Sequence, residues 1–262
     1  WSTLIKPNNK IPPSSSAVHH ITDDDVKDSP DIFTGLNITA SQVIDLPLIA
    51  HNAEYDQTVM EKAGFSTHHE WIDTYRLAMR IWAIGDKNSD GFELTSFSQQ
   101  ELRYWLKLPK TSGDAHRAAA DIEVTAHLFR HAVKKYLDSG LPDDYQKFIL
   151  WLNEPIIHRA IPFGWGLAGK QPDDLEDWQL KNAFKLDNNK RQAYIKFNVL
   201  DFLLPAYQRR FGKNPDELVE NGRSLYNNEQ EKQKNNIPVF EISEKQITTN
   251  KKSFKPKGRI IS

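Results

Sequence analysis

Short apolar runs alternate with longer stretches of helical spacing along this chain, and the alternation predicts an α/β layer fold. Trp1 to Ile5 reads as the end of a strand, stopped by Pro7-Asn8-Asn9. Pro12 to Ser16 reads as a loop, with Ser16 capping a short segment from Val18 to Ile21. Thr22 to Asp25 gives a second N-cap signal, followed by Val26 and a helix-stopping Pro30. Leu46 to Ala50 is predicted as a buried strand and Trp71 to Asp73 as a brief one. Glu54 to Ala63 has helical spacing and ends at Gly64. Tyr75, Leu77, Ala78, Ile81 and Trp82 form one helix face, and Leu94 to Leu108 places Phe97, Leu102, Trp105 and Leu106 on another. The longest predicted helix, His116 to Leu137, carries Ile122, Ala126, Phe129 and Val133 as its apolar stripe.

A second unit is predicted from about Asn153 to Gly212, with a glycine-rich turn from Pro162 to Lys170 and two apolar helices around Trp178 and Leu200. Past Asn221, low hydrophobicity and repeated Lys, Asn and Gln predict disorder. The expected division is therefore 1–140, 153–212 and a tail over 222–262.

The chain has 262 residues with 39 % hydrophobic content, enough for one sizeable core and an appendage. Net charge is −1, so the whole does not announce a polyanion partner. The tail differs, carrying nine Lys/Arg against four Glu from Gly222 onward. The absence of cysteine excludes disulfides and thiolate metal sites, which suits a reducing, cytoplasmic setting. No apolar run is long enough for a membrane span, so no membrane partner is expected. Trp1 is not an initiator Met, and the opening reads as a pattern already under way. A fragment is expected.

Three islands could carry chemistry. In His51-Asn52-Ala53-Glu54-Tyr55-Asp56 a strand feeds a helix, and Asp56 lies one turn in, able to reach back over the strand end. Read alone, the island is equally a helix start with Asn52 as cap and Asp56 at the positive helix end. In Gly113 to Asp121, His116 and Asp121 offer a base and a hard-cation ligand, with Ala118-Ala119-Ala120 leaving room for close approach. Its plainer reading is a helix start with Asp114 as cap. The third island, Ala17 to Thr22, holds the adjacent pair His19-His20, for which surface solvation is the plainer account.

In order and interval the three islands resemble the DEDDh 3′→5′ exonucleases, the family that includes RNase T, bacterial proofreading subunits and exonuclease X. Val18-His19-His20-Ile21-Thr22 is similar to the segment before the second acidic motif, and His51 to Asp56 to that motif itself. Asp73 to Ala78 is similar to an Asp-x-x-x-Leu-Ala segment. His116 to Asp121, with Asp114-Ala115 before and Thr125-Ala126 after, resembles the third motif. A weaker resemblance links Ile161-Pro162-Phe163-Gly164 and Gly169-Lys170 to a small module that follows some exonuclease X-like domains; Trp165 departs from its pattern.

The resemblance implies an RNase H-like fold with a mixed sheet and flanking helices, a small α-rich C-terminal module, and phosphodiester hydrolysis by two Mg²⁺ or Mn²⁺ ions about 4 Å apart. It implies Asp56 and Asp121 as metal ligands, His116 as general base, and His19 and Asn52 as residues near the terminal nucleotide. Single-stranded 3′ ends are the implied substrate, DNA being favoured; a polymerase or repair partner is left open. Two further carboxylates should come from an Asp-x-Glu on the family's first strand. No such pair precedes Asp56 at a strand end, and Asp23-Asp24-Asp25 sits on a helix cap. The expectation is a chain lacking the family's first strands and inactive as given; a degenerate nuclease that binds nucleic acid without cutting it is the alternative. A covalent-nucleophile hydrolase lacks support, since no cysteine, Gly-x-Ser-x-Gly elbow or phosphate loop is present.

Overall fold

The structure is a computed structural model that describes residues 3–44, 46–65, 69–109, 118–164, 166–186 and 188–215. The chain divides into two compact units, one from 1–82 and 86–152, the other from 83–85 and 153–262.

The first unit opens with three helices, α1 (Pro13–His19), α2 (Asp23–Val26) and α3 (Ile32–Gln42). Thr3 to Ile5, read above as a strand end, is irregular. α2 ends at Val26, ahead of Pro30, and Asp31 caps α3 by accepting from the Thr34 N–H at 2.8 Å. β1 (Leu48–Ala50) and β2 (Trp71–Asp73) then pair in parallel, with α4 (Ala53–Lys62) between them and α5 (Thr74–Ile81) following directly. This is a compact strand–helix–strand crossover. β1 is less buried than its apolar composition predicts, Ile49 being 39 % exposed. Its register partner Ile72 on β2 is 1 % exposed, so the two strands are covered unequally; among the described residues the sheet has two parallel strands, where a mixed sheet was expected.

α6 (Gln99–Trp105) begins five residues later than the apolar pattern suggests. Ser98 caps it, accepting from the Glu101 N–H at 3.3 Å, while Glu101 reaches back to the Thr95 hydroxyl at 2.8 Å. α7 (Ala118–Asp138) is the longest helix, and its buried stripe is Ala120, Val124, Leu128, Ala132 and Tyr136. The expected stripe is out of phase: Ile122 is 68 % exposed, and of that set Val133 alone is buried. Both phases satisfy a three-to-four spacing; packing against α5 and α6 selects the one that buries Leu128 and Tyr136 completely. α8 (Tyr145–Asn153) closes the core, with the Phe148 and Trp151 rings 5.1 and 4.8 Å from Tyr136.

The second unit has its own core of Ile161, Leu180, Phe184, Val199 and Leu203 beneath α9 (Asp177–Ala183), α10 (Asn188–Lys196) and α11 (Val199–Phe211). In α9 Leu180 is buried and Trp178 is exposed, so the expected anchor faces outward. The turn from Ile161 to Lys170 is closed by backbone bonds from Ile161 N–H to Lys170 and from Gly169 N–H to Ile161. Gly164, at φ +115°, must be glycine because a Cβ there would run into the Tyr194 hydroxyl. The tail over 222–262 lies outside the described residues.

Candidate active site

The parallel register sets Ala50 opposite Asp73, so both strands deliver their next residues, His51-Asn52 and Thr74-Tyr75, to the same end of the sheet. There Asn52 adopts a left-handed conformation (φ 68°, ψ 55°) as N-cap of α4. Its side chain makes no cap bond, contrary to the plainer reading of that island. The turn is held instead by Asp73, whose Oδ1 accepts both the Asn52 N–H and the Tyr75 N–H at 2.9 Å each.

His51 is tied on both ring nitrogens, Nδ1 to the Thr74 hydroxyl at 3.0 Å and Nε2 to the Phe97 carbonyl at 2.9 Å. The Thr74 hydroxyl also donates to the Ala50 carbonyl at 3.1 Å. Proton counting constrains this chain. A neutral ring donating from Nε2 to Phe97 must accept the Thr74 proton at Nδ1, leaving the Ala50 carbonyl without it; an imidazolium would satisfy all three. Burial pushes His51 below its ordinary 6.5, opposed by the Phe97 carbonyl and the Asp73 charge.

Asp56 projects from the first turn of α4 and is exposed. Partial desolvation raises its carboxyl above the usual 3.8, an N–H at the helix start opposes this, and the charge of Asp73 raises it further. Asp121, half-buried in the first turn of α7, is held from α6. Gln100 Nε2 approaches its Oδ1 at 3.3 Å, and Gln99 Nε2 donates to its carbonyl at 2.7 Å. Hydrogen bonds therefore run from the strand ends through His51 and Phe97 to the start of α6, and on to Asp121. The N-termini of α5, α6 and α7 all meet in that run.

Of the expected site residues, Asn52 and Asp56 lie in the strand-end cluster, and Asp121 joins it through the α6 glutamines. His19 ends α1, its Nδ1 accepting from Ile21 N–H at 3.1 Å, and no hydrogen bond among the described residues joins it to the cluster. His116 lies outside the described residues. Asp73, Thr74, Gln99 and Gln100 were assigned no role from sequence, although Ser98 is a residue type that starts helices and the first turn after it must contain both glutamines.

Comparison with known proteins adds a likeness in sequence. Residues 1–129 match the sequence model of the exonuclease family that includes RNase T. This region, just under half of the chain, is similar to the exonuclease family. Two relatives are DNA polymerase III proteins: the DNA polymerase III subunit epsilon of Treponema pallidum is 30 % identical over 136 residues, 49 % of this chain and 58 % of the relative. DNA polymerase III PolC-type of Staphylococcus epidermidis is 26 % identical over 191 residues, 71 % of this chain and 12 % of the relative. The chain thus spans little more than half of one relative and a small part of the other. A solved structure of exonuclease X with 5′-overhanging duplex DNA aligns with TM-score 0.41 at 29 % identity, covering 53 % of this chain and 74 % of that one.

The family has the RNase H-like fold and generally works with divalent metals. The donors of the exonuclease domain are right in kind, since exposed carboxylate oxygens suit a hard cation. In number they fall short: among the described residues no three His, Asp or Glu side chains come together to hold an ion.

Away from this cluster the same unit holds a cavity of about 800 Å³ lined in part by Arg80, Trp82, Lys107, His131, Lys135 and Trp151. It lies at the C-terminal ends of α5, α6 and α7, the ends remote from Asp73 and Asp121. At 1.5 Å per residue, Lys135 is about 21 Å along α7 from Asp121.

Proposed function

We propose that the exonuclease domain removes nucleotides from single-stranded 3′ ends of DNA, in proofreading-like trimming or repair, with two divalent ions, Mg²⁺ or Mn²⁺. When bound, such ions polarise the phosphodiester and activate the attacking water. The observation that carries this reading is the hydrogen-bonded run joining the turn that bears Asp56 to the helix start that bears Asp121. In this reading Asp56 and Asp121 hold metal, together with further carboxylates, and His116 takes the proton of the attacking water. Asn52, exposed and free of capping duty, and His19 contact the terminal nucleotide. The three helix N-termini favour the phosphate charge on the same side. The polymerase III relatives support a replicative polymerase as partner.

The test is Asp121→Ala in the full-length protein. Mg²⁺-dependent nucleotide release from a single-stranded oligonucleotide should vanish while binding survives. Equal release by the variant removes Asp121 from the mechanism. Binding without release by the wild type favours a nuclease-like nucleic-acid-binding protein that does not cut.

A further inference from the structure

We infer that Asp73 is a positioning residue, whose single carboxylate oxygen clamps the left-handed turn at Asn52 to the first turn of α5 and so sets the approach of Asn52 and Asp56 to substrate. The inference rests on the nuclease reading for its catalytic consequence, and on geometry for the clamp itself.

Three observations carry it. First, the turn needs holding. Asn52 is a non-glycine residue at φ 68°, a conformation that costs on the order of 1 kcal/mol or more and persists where surroundings impose it. Asparagine tolerates it better than most residues, yet its side chain contributes no cap bond that would repay the cost locally.

Second, the restraint comes from outside the turn. Asp73 is 21 positions further along the chain, at the end of the neighbouring strand, and accepts the Asn52 N–H at 2.9 Å. The same oxygen caps α5 through Tyr75 N–H. One acceptor with two backbone donors fixes two chain segments against each other, and a charged acceptor makes each bond stronger than a neutral one. The parallel register delivers Asp73 there, since its strand partner is Ala50, two residues before the turn.

Third, the turn leads directly to the proposed chemistry. Asp56 is four residues past Asn52 on a helix whose first residue is Ala53. A tilt of that first turn therefore displaces the Asp56 carboxylate, and misplacement by about 1 Å can cost on the order of a hundredfold in rate. Asp73 touches no part of the substrate in this account; it acts through Asn52 and Asp56.

The experiment compares full-length wild type, Asp73→Asn and Asp73→Ala by two readouts. One is amide hydrogen exchange at Asn52 and Tyr75; the other is kcat and KM for Mg²⁺-dependent nucleotide release from a single-stranded oligonucleotide. Asp73→Ala should speed exchange at both amides by about tenfold and lower kcat by at least that factor, with KM within about threefold. Asp73→Asn keeps an amide oxygen at the Oδ1 position, so protection and kcat should return to within about threefold of wild type. Unchanged protection in Asp73→Ala overturns the clamp. Faster exchange with wild-type kcat overturns the positioning role. If Asp73→Ala does not fold, Asp73→Asn decides: protected amides with kcat down tenfold would assign the effect to charge and defeat the inference. A wild type with protected amides and no release overturns the nuclease reading and the positioning role with it, while the clamp stands on exchange alone.

Discussion

The two ends of α5 and α7 present opposite chemistry on one scaffold. At their N-terminal ends sit Asp73 and Asp121, with Asp56 nearby on α4; at their C-terminal ends sit Arg80 and Lys135, with Lys107 just past the end of α6. Helix dipoles alone would sort the charges this way, acid to the positive end and base to the negative. Charge is therefore a poor guide to which end is the site. Backbone strain does not separate them either, since Lys107 at the basic end is left-handed at φ 53° as Asn52 is at the acidic end; hydrogen bonding does. At the acidic end a carboxyl is raised by partial burial and, less, by a like-charged neighbour, and a half-buried histidine cannot satisfy three hydrogen bonds without an extra proton. At the basic end three of the cations have ordinary side-chain partners. Lys107 pairs with Asp90 at 2.6 Å, Lys87 meets Glu93 at 3.6 Å, and the Arg80 guanidinium lies 4.3 Å over the Trp151 ring.

The largest expected effect concerns what both ends share. Leu128, fully buried midway along α7, should cost about 2–5 kcal/mol when changed to Ala, whereas Ile122→Ala, at 68 % exposed, should stay within about 0.5 kcal/mol. Urea titrations of the two variants check the phase of the helix. Equal costs would mean that α7 is rotated from the position described.

Next come the two ends themselves. Asp56→Ala should lower Mg²⁺-dependent nucleotide release by at least about a hundredfold, and Lys135→Ala by less than about threefold. Comparable losses at both would erase the distinction between the acidic site and the basic cavity.

Much of this layout was legible in the sequence, for local reasons. β2 and α4 fall within a residue of expectation because a short apolar strand and a helix closed by a glycine are both short-range signals. The phase of α7 was not legible, because two interleaved stripes fit one helical period and the neighbours choose between them. Nor was the route to Asp121, since His51 and Phe97 are 46 positions apart and their bond depends on a carbonyl, which no side-chain pattern reports. Asn52 suits an ordinary cap by residue type; that it sits at φ 68° without a side-chain cap bond depends on Asp73, 21 positions away.

Histidines at the two ends sharpen the comparison further. Both are pushed below 6.5 chiefly by burial, but Lys135 and Lys134 depress His131 further, whereas Asp73 supports a charge on His51. A depressed histidine contributes stability that is present above 6.5. As pH falls below 6.5 the unfolded chain takes up the proton first, so that stability declines until the folded ring titrates too. Urea midpoints between pH 7.5 and 5 should therefore drop in the wild type, and His51→Gln and His131→Gln should each flatten the drop. A wild type that gains stability on acidification through 6.5, with the gain lost in His51→Gln, would show the opposite at the acidic end: the imidazolium that satisfies Thr74, Ala50 and Phe97 together outweighs its burial cost.

The smallest expected effect decides whether the basic end is more than a capped set of helix ends. Lys107 and Asp90 are 54 % and 45 % exposed, so their short contact competes with water and loses side-chain freedom. Asp90→Ala should cost no more than about 1 kcal/mol, and less as salt rises, because exposed pairs are screened within about 8–10 Å at ordinary ionic strength. Removing Asp90 also releases Lys107, leaving the cavity more positive by one charge. If the basic end were a second contact for a polyanion, affinity for a single-stranded oligonucleotide should rise and its salt dependence steepen by about one counterion. If the lysine merely complements the C-terminal carbonyls of α6, neither should move. We expect neither to move; a steeper salt slope in Asp90→Ala would make the basic end part of the nucleic-acid path.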